Sequence, residues 1–383
     1  MIEKKKIVII GPAYPYRGGN SLYVSFLYDL LKDKFDVTIV NYTLLYPSIF
    51  FPGTTQNDTS GHIIKEVESK RLINSINPFT WFKAAKFINS HKADLVIFDW
   101  WNPFFGPSHR VISSLIKKHY RNKIVFITEN VISHEARFVD RLLTKIGLKN
   151  ADTFIALSNV VENTLKNITH KKIYKSALPI YGCYNLDKNI DVRKQKEILG
   201  FSKDDDVLLF FGYVRKYKGL NVLIDAYPGI LEINPNARLL IVGEFYDSSD
   251  KYYQQIETLG IKDHVKVVQK FVPNEDVGRY YSVADIVILP YLSGTQSGVL
   301  NIAYGFGKPV IVTNVGGLAE DVIDNNTGYI IEPNSPSEIV NSVRKFFNER
   351  NKTDFKSNIN KKLEDNLFNK FPELVVKIME DMK

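Results

Sequence analysis

Short apolar runs recur along the first half of the chain, and segments with helical spacing of their apolar positions separate them. Apolar runs of about four to eight residues, bounded by turn-forming residues, are typical of strands buried on both faces. We predict strands at Lys6–Ile10, Asp36–Asn41, Leu95–Asp99, Lys123–Thr128, Thr153–Leu157 and Lys172–Ser176. Between the strands the spacing predicts helices, for example at Ser21–Lys32 and Ser108–His119.

The second half repeats this alternation. Strands are predicted at Val207–Gly212, Ala237–Gly243, Val265–Gln269, Ile286–Leu289, Pro309–Thr313 and Gly328–Ile331. Strands that alternate with helices form parallel sheets from right-handed βαβ units. We therefore predict an α/β fold with two Rossmann-like domains, residues 1–180 and 186–335, whose sheets face each other across a deep cleft where ligands bind. The linker is expected within Pro179–Asp187, and residues 336–383 are predicted to be a helical segment.

A loop of small polar residues, Ser293–Gly298, joins a predicted strand to a helix. The apolar run before it ends at Pro290-Tyr291, and helical spacing begins at Val299. Unpaired N–H groups and the helix dipole favour an anion at such a helix start. Small residues also let the backbone approach a diphosphate closely. The alternative is an ordinary capped loop.

Two cations, Arg215 and Lys218, follow the predicted strand Val207–Gly212 directly. In a doubly wound sheet, ligands bind beyond the carboxyl ends of the strands, so both side chains are expected in the same crevice as the 293–298 loop. An Arg fork and a Lys point charge suit a pyrophosphate. The alternative is a pair of solvated surface cations.

Composition limits the class of protein. The chain has 383 residues, of which 44% are hydrophobic, and this is enough for two full cores. Its one cysteine, Cys183, excludes a disulfide framework and indicates a reducing cytoplasm. Neither a signal peptide nor a membrane-spanning run is predicted. No metal-ligand spacing is found, so we expect no metal cofactor.

Charge is distributed unevenly between the two halves. Residues 1–180 carry 25 Lys and Arg against 14 Asp and Glu, a net charge of +11, whereas the remainder has a net charge of −3. No nucleic-acid-binding pattern is found, so nucleic acid is not an expected partner. Aromatic clusters occur in the basic half, and rings beside cations suit lipid headgroups. We expect peripheral attachment to the inner face of a membrane, with burial of these rings in the core as the alternative. The clusters are Tyr42, Tyr46, Phe50 and Phe51, then Trp81 and Phe82, then Trp100, Trp101, Phe104 and Phe105.

Five segments together resemble glycosyltransferase family 4 (group 1), whose members are retaining enzymes of the GT-B fold. The resemblance spans the chain, is strongest from Leu208 to Glu332 and weakens between Leu44 and Lys92. In that fold the last helix packs back toward the N-terminal domain. The resemblance implies a nucleoside diphosphate sugar as donor and a saccharide, often lipid-linked, as acceptor in cell-surface polysaccharide or lipopolysaccharide synthesis. The segments are Gly11–Gly19, Phe211–Leu220, Gly294–Val299, Val315–Glu320 and Asn326–Ile331.

Matched to the family by position, Arg215 and Lys218 resemble the pair that neutralises the donor diphosphate as the sugar leaves. Their implied role is stabilisation of transition-state charge. Ser297, Gly298 and Val299 resemble the residues that donate backbone N–H groups to the same phosphates.

Four further positions match residues around the donor. Gly18 and Gly19 resemble the glycine turn that approaches the diphosphate from the other domain. Val272 resembles the residue whose backbone holds the nucleobase. Glu320 lies in the family's Gly-Gly-x-x-Glu segment, and its alternative is a structural carboxylate at a helix start.

The chain departs from the family where a Glu-x7-Glu pair is usual. Those two positions hold Gly294 and Ile302, neither of which can bind a sugar hydroxyl as a carboxylate does. Hydrogen-bonding residues nearby are candidates to replace the acids: Thr295, Gln296 and Asn301.

On the acceptor side, many members have a His where Glu129 stands, after the predicted strand Lys123–Thr128. Glu129 is either a carboxylate facing the reacting sugar or an ordinary acid at a strand end. His134, a few residues on, either lines the acceptor site or is a loop histidine.

Two functional interpretations stay open. The first is an active hexosyltransferase, in which the leaving phosphate takes the acceptor proton and no enzyme nucleophile is needed. The second is a nucleotide-sugar protein without transfer activity, either a catalytically silent binding subunit or an epimerase of the same fold. An epimerase is expected to carry paired carboxylates and a His near the sugar carbon, and no such set is found between Gly294 and Ile302.

Overall fold

A computed structural model describes residues 3–51, 53, 55–131, 138–187 and 189–382. The chain divides into two compact units. The first unit contains the described residues of Met1–Asp58, Lys65–Pro179 and Asn366–Lys383, and the second contains those of Thr59–Ile64 and Ile180–Asp365.

All strands of the described residues except β3 lie close to predicted positions. The strands are β1 (Lys6–Ile10), β2 (Asp36–Leu44), β3 (Ser69–Asn74), β4 (Leu95–Trp100), β5 (Ile124–Thr128), β6 (Thr153–Ala156), β7 (Ile173–Lys175), β8 (Asp206–Phe211), β9 (Ala237–Val242), β10 (Val265–Val268), β11 (Ile286–Leu289), β12 (Val310–Thr313) and β13 (Gly328–Ile331).

Helices follow most of the strands, as the alternating pattern predicts. They are α1 (Gly19–Leu31), α2 (Pro78–His91), α3 (Gly106–Ile116), α4 (Phe138–Leu148), α5 (Asn159–Lys166), α6 (Val192–Ile198), α7 (Leu220–Ile233), α8 (Asp250–Thr258), α9 (Asn274–Val283), α10 (Gly298–Gly305), α11 (Pro336–Glu349), α12 (Phe355–Glu364) and α13 (Phe371–Asp381).

The first unit is built on a seven-stranded parallel sheet with the order β3-β2-β1-β4-β5-β6-β7. Alternate residues of its apolar strands bury on opposite faces, because side chains alternate across a strand. Ile9 and Ile127 belong to the core on one face, where residues of α1 and α13 also pack, whereas Phe98 and Phe126 belong to the core on the other. The fold class is therefore α/β, as predicted.

The second unit has a six-stranded parallel sheet with the order β10-β9-β8-β11-β12-β13. It too has a core on each face, one that includes Leu208 and Ile288 and another that includes Leu209 and Leu289. Strand order reverses beside β8, which lies between β9 and β11. Such a reversal opens a crevice at the carboxyl ends of the strands, and the loop with Arg215 and Lys218 begins there.

Strand β3 was missed by the sequence analysis. It is an edge strand beside β2, and Ile73 is its one fully buried residue, so it has no apolar run to reveal it. Five of the ten aromatic residues singled out in the basic half are core residues, as the alternative held: Tyr42, Trp81, Trp100, Trp101 and Phe105 are all buried. Phe82 is 53% exposed.

Candidate functional site

Arg215 and Lys218 lie in the loop between β8 and α7, at the carboxyl end of the second sheet. A 3₁₀ turn over Lys216–Lys218 ends at Gly219, which has a positive φ of 68°. A Cβ at Gly219 would lie 1.9 Å from the carbonyl oxygen of Pro290, so only glycine permits this packing. The loop is thereby held against the segment that follows β11.

Neither cation forms an ion pair with an acidic side chain in the parts of the chain that the structure describes. Each instead lies over a tyrosine ring. The Cζ atom of Arg215 is 4.8 Å from the ring centre of Tyr246, and Nζ of Lys218 is 5.2 Å from that of Tyr291. Such cation–π contacts hold a cation without neutralising its charge.

Lys218 is only 7% exposed. Burial lowers its pKa, the positive charge of Arg215 lowers it further, and Tyr217 acts in the opposite direction. Its Nζ lies beside the start of α10, because a Cβ placed on Gly212 would be 3.2 Å from that atom and 3.1 Å from Cγ2 of Val299. The structure therefore brings the predicted cation and the predicted helix start together.

Ser297 is the N-cap of α10. Its Oγ accepts a hydrogen bond from the Leu300 N–H at 3.4 Å and lies 3.2 Å from the Tyr291 hydroxyl oxygen. The N–H groups of Gly298 and Val299, in the first turn, have no acceptor within the helix because helix geometry provides none. The helix start therefore presents backbone N–H donors and a positive dipole end beside Lys218.

The two positions where the family usually has acids are closely packed. Gly294 is buried, and a Cβ there would lie 3.0 Å from Cδ1 of Leu318 and 3.5 Å from a ring carbon of Tyr291. Its carbonyl oxygen also packs against Gly316, where a Cβ would approach to 1.4 Å. Ile302, at the second position, packs against the core. The loop is thus built closely around glycine and an apolar residue.

The polar residues beside these positions are held by backbone contacts. The carbonyl oxygen of Thr295 accepts a hydrogen bond from the Gly317 N–H at 3.1 Å, and that of Asn301 accepts one from Tyr181 at 3.3 Å. Asn301 is buried, whereas Thr295 and Gln296 are half-buried.

Two other predicted donor-site residues lie in loops of the second unit. Val272 follows β10, is half-buried and packs against the core. Glu320 lies in a 3₁₀ turn, Ala319–Asp321, and is exposed. The element after it along the described chain is β13, so Glu320 is not at the start of an α-helix.

In the first unit, Gly18 and Gly19 form the start of α1. Gly18 has a φ of 104°, and a Cβ added to either glycine would meet no atom of the described residues within 4 Å. Asn20, the next residue, donates a hydrogen bond from Nδ2 to Oε2 of Glu129 at 2.6 Å. Glu129 follows β5 and is buried. His134 lies outside the described residues.

Asp99 is a candidate that the sequence analysis did not single out. It lies on β4, where it is paired with Ile127 of β5. Glu129 comes two residues after Ile127, so the carboxyl groups of Asp99 and Glu129 share one face of the sheet. Asp99 is fully buried, and neither of its carboxyl oxygens has a hydrogen-bond partner within the described residues. The sequence feature that could have identified Asp99 is an acid at the end of an otherwise apolar strand.

The two acids affect each other's protonation. Burial raises the pKa of Glu129 to about 7, although the hydrogen bond from Asn20 acts in the opposite direction. Burial, and then the charge of Glu129, raise the pKa of Asp99 well above its usual value. Near neutral pH the pair therefore retains at least one proton.

No group of three or more His, Cys, Asp or Glu residues that could hold a metal ion is found among the described residues. Within the same residues, no helix combines the length and the apolar character needed to cross a bilayer.

The family described as glycosyl transferases group 1 matches residues 191–363. An uncharacterized glycosyltransferase of Methanocaldococcus jannaschii is 25% identical over 349 residues, which cover 90% of this chain and 88% of that protein. Further curated relatives are matched over only 31% to 61% of their own length. They include a putative glycosyltransferase of Bacillus subtilis, 29% identical over 62% of this chain, and a D-inositol 3-phosphate glycosyltransferase of Thermobifida fusca, 30% identical over 39% of this chain.

Solved structures are similar over nearly the whole chain. Anabaena HepE in complex with UDP has a TM-score of 0.74 at 17% identity, covering 98% of this chain and 100% of that one. WaaG, a glycosyltransferase involved in lipopolysaccharide biosynthesis, has a TM-score of 0.66 at 16% identity, covering 98% and 99%. At these identities the similarity concerns the fold.

Proposed function

Because residues 191–363 match the group 1 glycosyl transferases and the chain has the GT-B fold, we propose that it uses a nucleoside diphosphate sugar as donor and a saccharide as acceptor. The enzyme class follows from the family, and the donor and acceptor are the proposed part. HepE, which has the same fold, was solved with UDP, and this supports a nucleoside diphosphate as ligand.

One observation carries the donor proposal. Arg215 and the buried Lys218 lie over tyrosine rings without an acidic partner among the described residues, and Lys218 is beside the start of α10. Burying a cation without a counter-charge is costly, so such a cation is expected to be neutralised by a bound anion. A diphosphate has the matching charge, and the N–H groups of Gly298 and Val299 add hydrogen-bond donors.

The proposed transfer retains the configuration of the sugar. The bond between the anomeric carbon and the phosphate oxygen breaks, and the acceptor hydroxyl oxygen bonds to that carbon on the same face. The acceptor proton passes to the leaving phosphate oxygen, so no enzyme nucleophile is consumed. Arg215 and Lys218 stabilise the growing charge on the diphosphate and make a metal unnecessary. Val272, Thr295, Gln296, Asn301 and Glu320 are proposed to bind the rest of the donor.

Glu129 is proposed to bind an acceptor hydroxyl at the first sheet. Its hydrogen bond to Asn20 fixes the carboxyl group next to the glycine turn Gly18-Gly19. Asp99 lies behind it on the same face and is fully buried. A carboxyl group whose pKa is about 7 can both donate and accept a hydrogen bond near neutral pH.

We further propose that the acceptor is a lipid-linked saccharide, used in cell-surface polysaccharide or lipopolysaccharide synthesis at the inner face of a membrane. The net charge of +11 over residues 1–180 supports attraction to anionic lipids. WaaG, which has the same fold, acts in lipopolysaccharide biosynthesis.

A donor screen tests the function. The melting temperature is measured with UDP, GDP and ADP, and with their sugars, in the presence of EDTA, because a ligand that binds only the folded state raises it. We expect one nucleotide series to stabilise the protein, and Lys218→Ala to abolish that shift. Release of the nucleoside diphosphate is then followed with saccharide acceptors. Donor binding without any turnover would favour the catalytically silent subunit, and no shift with any nucleotide would contradict the proposal.

A further inference from the structure

The outward face of α2 begins with apolar side chains and continues with cations. Phe79 is 84% exposed and Phe82 is 53% exposed, and the exposed Lys83 and Lys86 follow on the same face. The spacing of these four residues, i, i+3, i+4 and i+7, places them along one stripe. Helix α2 contains no acidic residue.

Helix α4 repeats this arrangement. Phe138 is 83% exposed and Leu142 is 49% exposed, and the exposed cations Arg141 and Lys145 lie on the same face. Its one acidic residue is Asp140, which is half-buried. Two helices of one unit thus expose phenylalanine in their first turn and cations toward their later turns.

Both helices begin at the carboxyl edge of the first sheet. Helix α2 follows β3 and α4 follows β5, and a helix that returns between parallel strands starts where the preceding strand ends. Helix α3 lies between them and packs closely on α4, because a Cβ at Gly106 would lie 2.5 Å from the Leu143 carbonyl oxygen. Ile76, 54% exposed, adds to the apolar residues at this edge.

We propose that this α2–α4 face, defined by Phe79, Phe82, Lys83, Lys86, Phe138, Arg141, Leu142 and Lys145, docks on an anionic lipid bilayer. The phenylalanine rings enter the region between headgroups and acyl chains, and the cations contact lipid phosphates. The charge of the face favours an anionic bilayer as its partner. The face carries four cations and no acid, and this positive charge complements an anionic surface.

Docking of this face on a bilayer would bring a membrane-bound acceptor close to the first sheet. This part of the inference rests on the proposed function. Glu129 follows β5 at the same carboxyl edge from which α2 and α4 begin. A saccharide whose lipid tail stays in the bilayer is then presented at the sheet edge that holds the proposed acceptor-binding carboxyl group. The face thereby selects membrane-bound acceptors over free saccharides.

Sedimentation with vesicles tests the docking. Vesicles of phosphatidylcholine alone and of phosphatidylcholine with phosphatidylglycerol are compared at low and high salt. We expect binding to the anionic vesicles, weakened by salt. Phe79→Ser with Phe82→Ser should weaken binding roughly tenfold or more, and Lys83→Glu with Lys86→Glu roughly 30-fold, since each cation near the surface contributes separately.

Matched controls come from exposed residues of the second unit. Ile198→Ser removes an apolar side chain that is 59% exposed, and Lys203→Glu with Lys352→Glu reverses two exposed cations. All are expected to bind vesicles as the wild type does, and every variant should keep the wild-type melting temperature. Equal binding by the α2 variants and the wild type would overturn the proposal. A wild-type oligomer that the phenylalanine changes dissociate, without vesicle binding, would assign the face to a protein partner instead.

Transfer to a lipid-free saccharide separates the two proposals. The α2 variants should keep this activity and lose transfer only to acceptors in vesicles. Vesicle binding that depends on the α2–α4 face, without transfer to any acceptor, would leave the docking intact and contradict the proposed function.

Discussion

The two units place different groups at the ends of similar sheets, cations in the second and carboxyl groups in the first. At the carboxyl end of the second sheet, Arg215 and Lys218 lie over tyrosine rings. At the carboxyl end of the first, the acids Asp99 and Glu129 are buried on one face. Both sheets are parallel and have a helix-covered core on each face. The chemistry of each edge therefore depends on a few residues at or just after the end of a strand, and hardly on the architecture.

Removing a cation from the second edge should have the largest effect. Lys218→Ala and Arg215→Ala are each expected to lower kcat/KM by an amount equivalent to about 2–4 kcal/mol of transition-state stabilisation, as for the loss of one oxyanion-hole donor. Lys216→Ala is the matched control, because Lys216 is in the same turn but exposed. Near-normal turnover in both variants at unchanged melting temperature would remove the assignment.

The acid pair of the first edge should make stability depend on pH. The pKa of Glu129 is raised from 4.5 to about 7, and that of Asp99 is raised well above 3.8. An acid whose pKa is raised in the folded state contributes its full stabilisation below its unfolded-state pKa. That stabilisation is lost as the pH rises through its folded-state pKa. The loss for Glu129 therefore falls between about pH 4.5 and 7, and Asp99 adds a loss of the same sign as the pH rises above 3.8.

Asp99→Asn should flatten this dependence. We expect the free energy of unfolding, measured with urea from about pH 5 to about pH 9, to fall less steeply in the variant than in the wild type, since about 1.4 kcal/mol is at stake for each unit of raised pKa. Asp36→Asn, at an exposed position, is the control and should leave the slope unchanged. The same slope in Asp99→Asn and the wild type would show that Asp99 is ionised in the folded protein.

The tyrosine rings of the second edge should have a smaller effect than the cations that they hold. Tyr246→Leu removes the ring 4.8 Å from Arg215 and is expected to lower kcat/KM roughly three- to tenfold, in line with a cation–π contact. Tyr246→Phe keeps the ring and should stay within about twofold of the wild type. Tyr253→Leu, at a 41% exposed tyrosine, is the control. A loss in Tyr246→Phe equal to that in Tyr246→Leu would assign the effect to the hydroxyl group.

Most of the fold could be predicted because its strands are fully buried. Runs such as Ile7–Ile10 and Leu208–Phe210 are apolar at every position, and this pattern identifies parallel strands without further information. Edge strand β3 lacks that pattern, since its sequence, Ser69–Asn74, buries little. Its identity depends on pairing with β2, which sequence spacing does not reveal.

The candidate site was predictable in part. The sequence reveals Arg215, Lys218 and the loop before α10, because cations or small polar residues there stand between an apolar strand and a helix. The Tyr246 ring under Arg215 lies 31 positions further along the chain, and no such pattern reveals it. The same holds for Asp99, which is the last residue of a predicted strand and comes near Glu129 only through the register of β4 with β5.

By itself, the sequence determined the α/β class, the order of most strands and helices along the chain, and which residues stand at the strand ends, because these follow from local periodicity. The tertiary structure alone decided which of those residues meet. Strand order and register brought Asp99 to Glu129, and packing around Gly212, which has no side chain, placed Lys218 Nζ beside Val299 at the start of α10. Burial then altered the protonation of these groups, and burial is a property of the packed chain that no local pattern encodes.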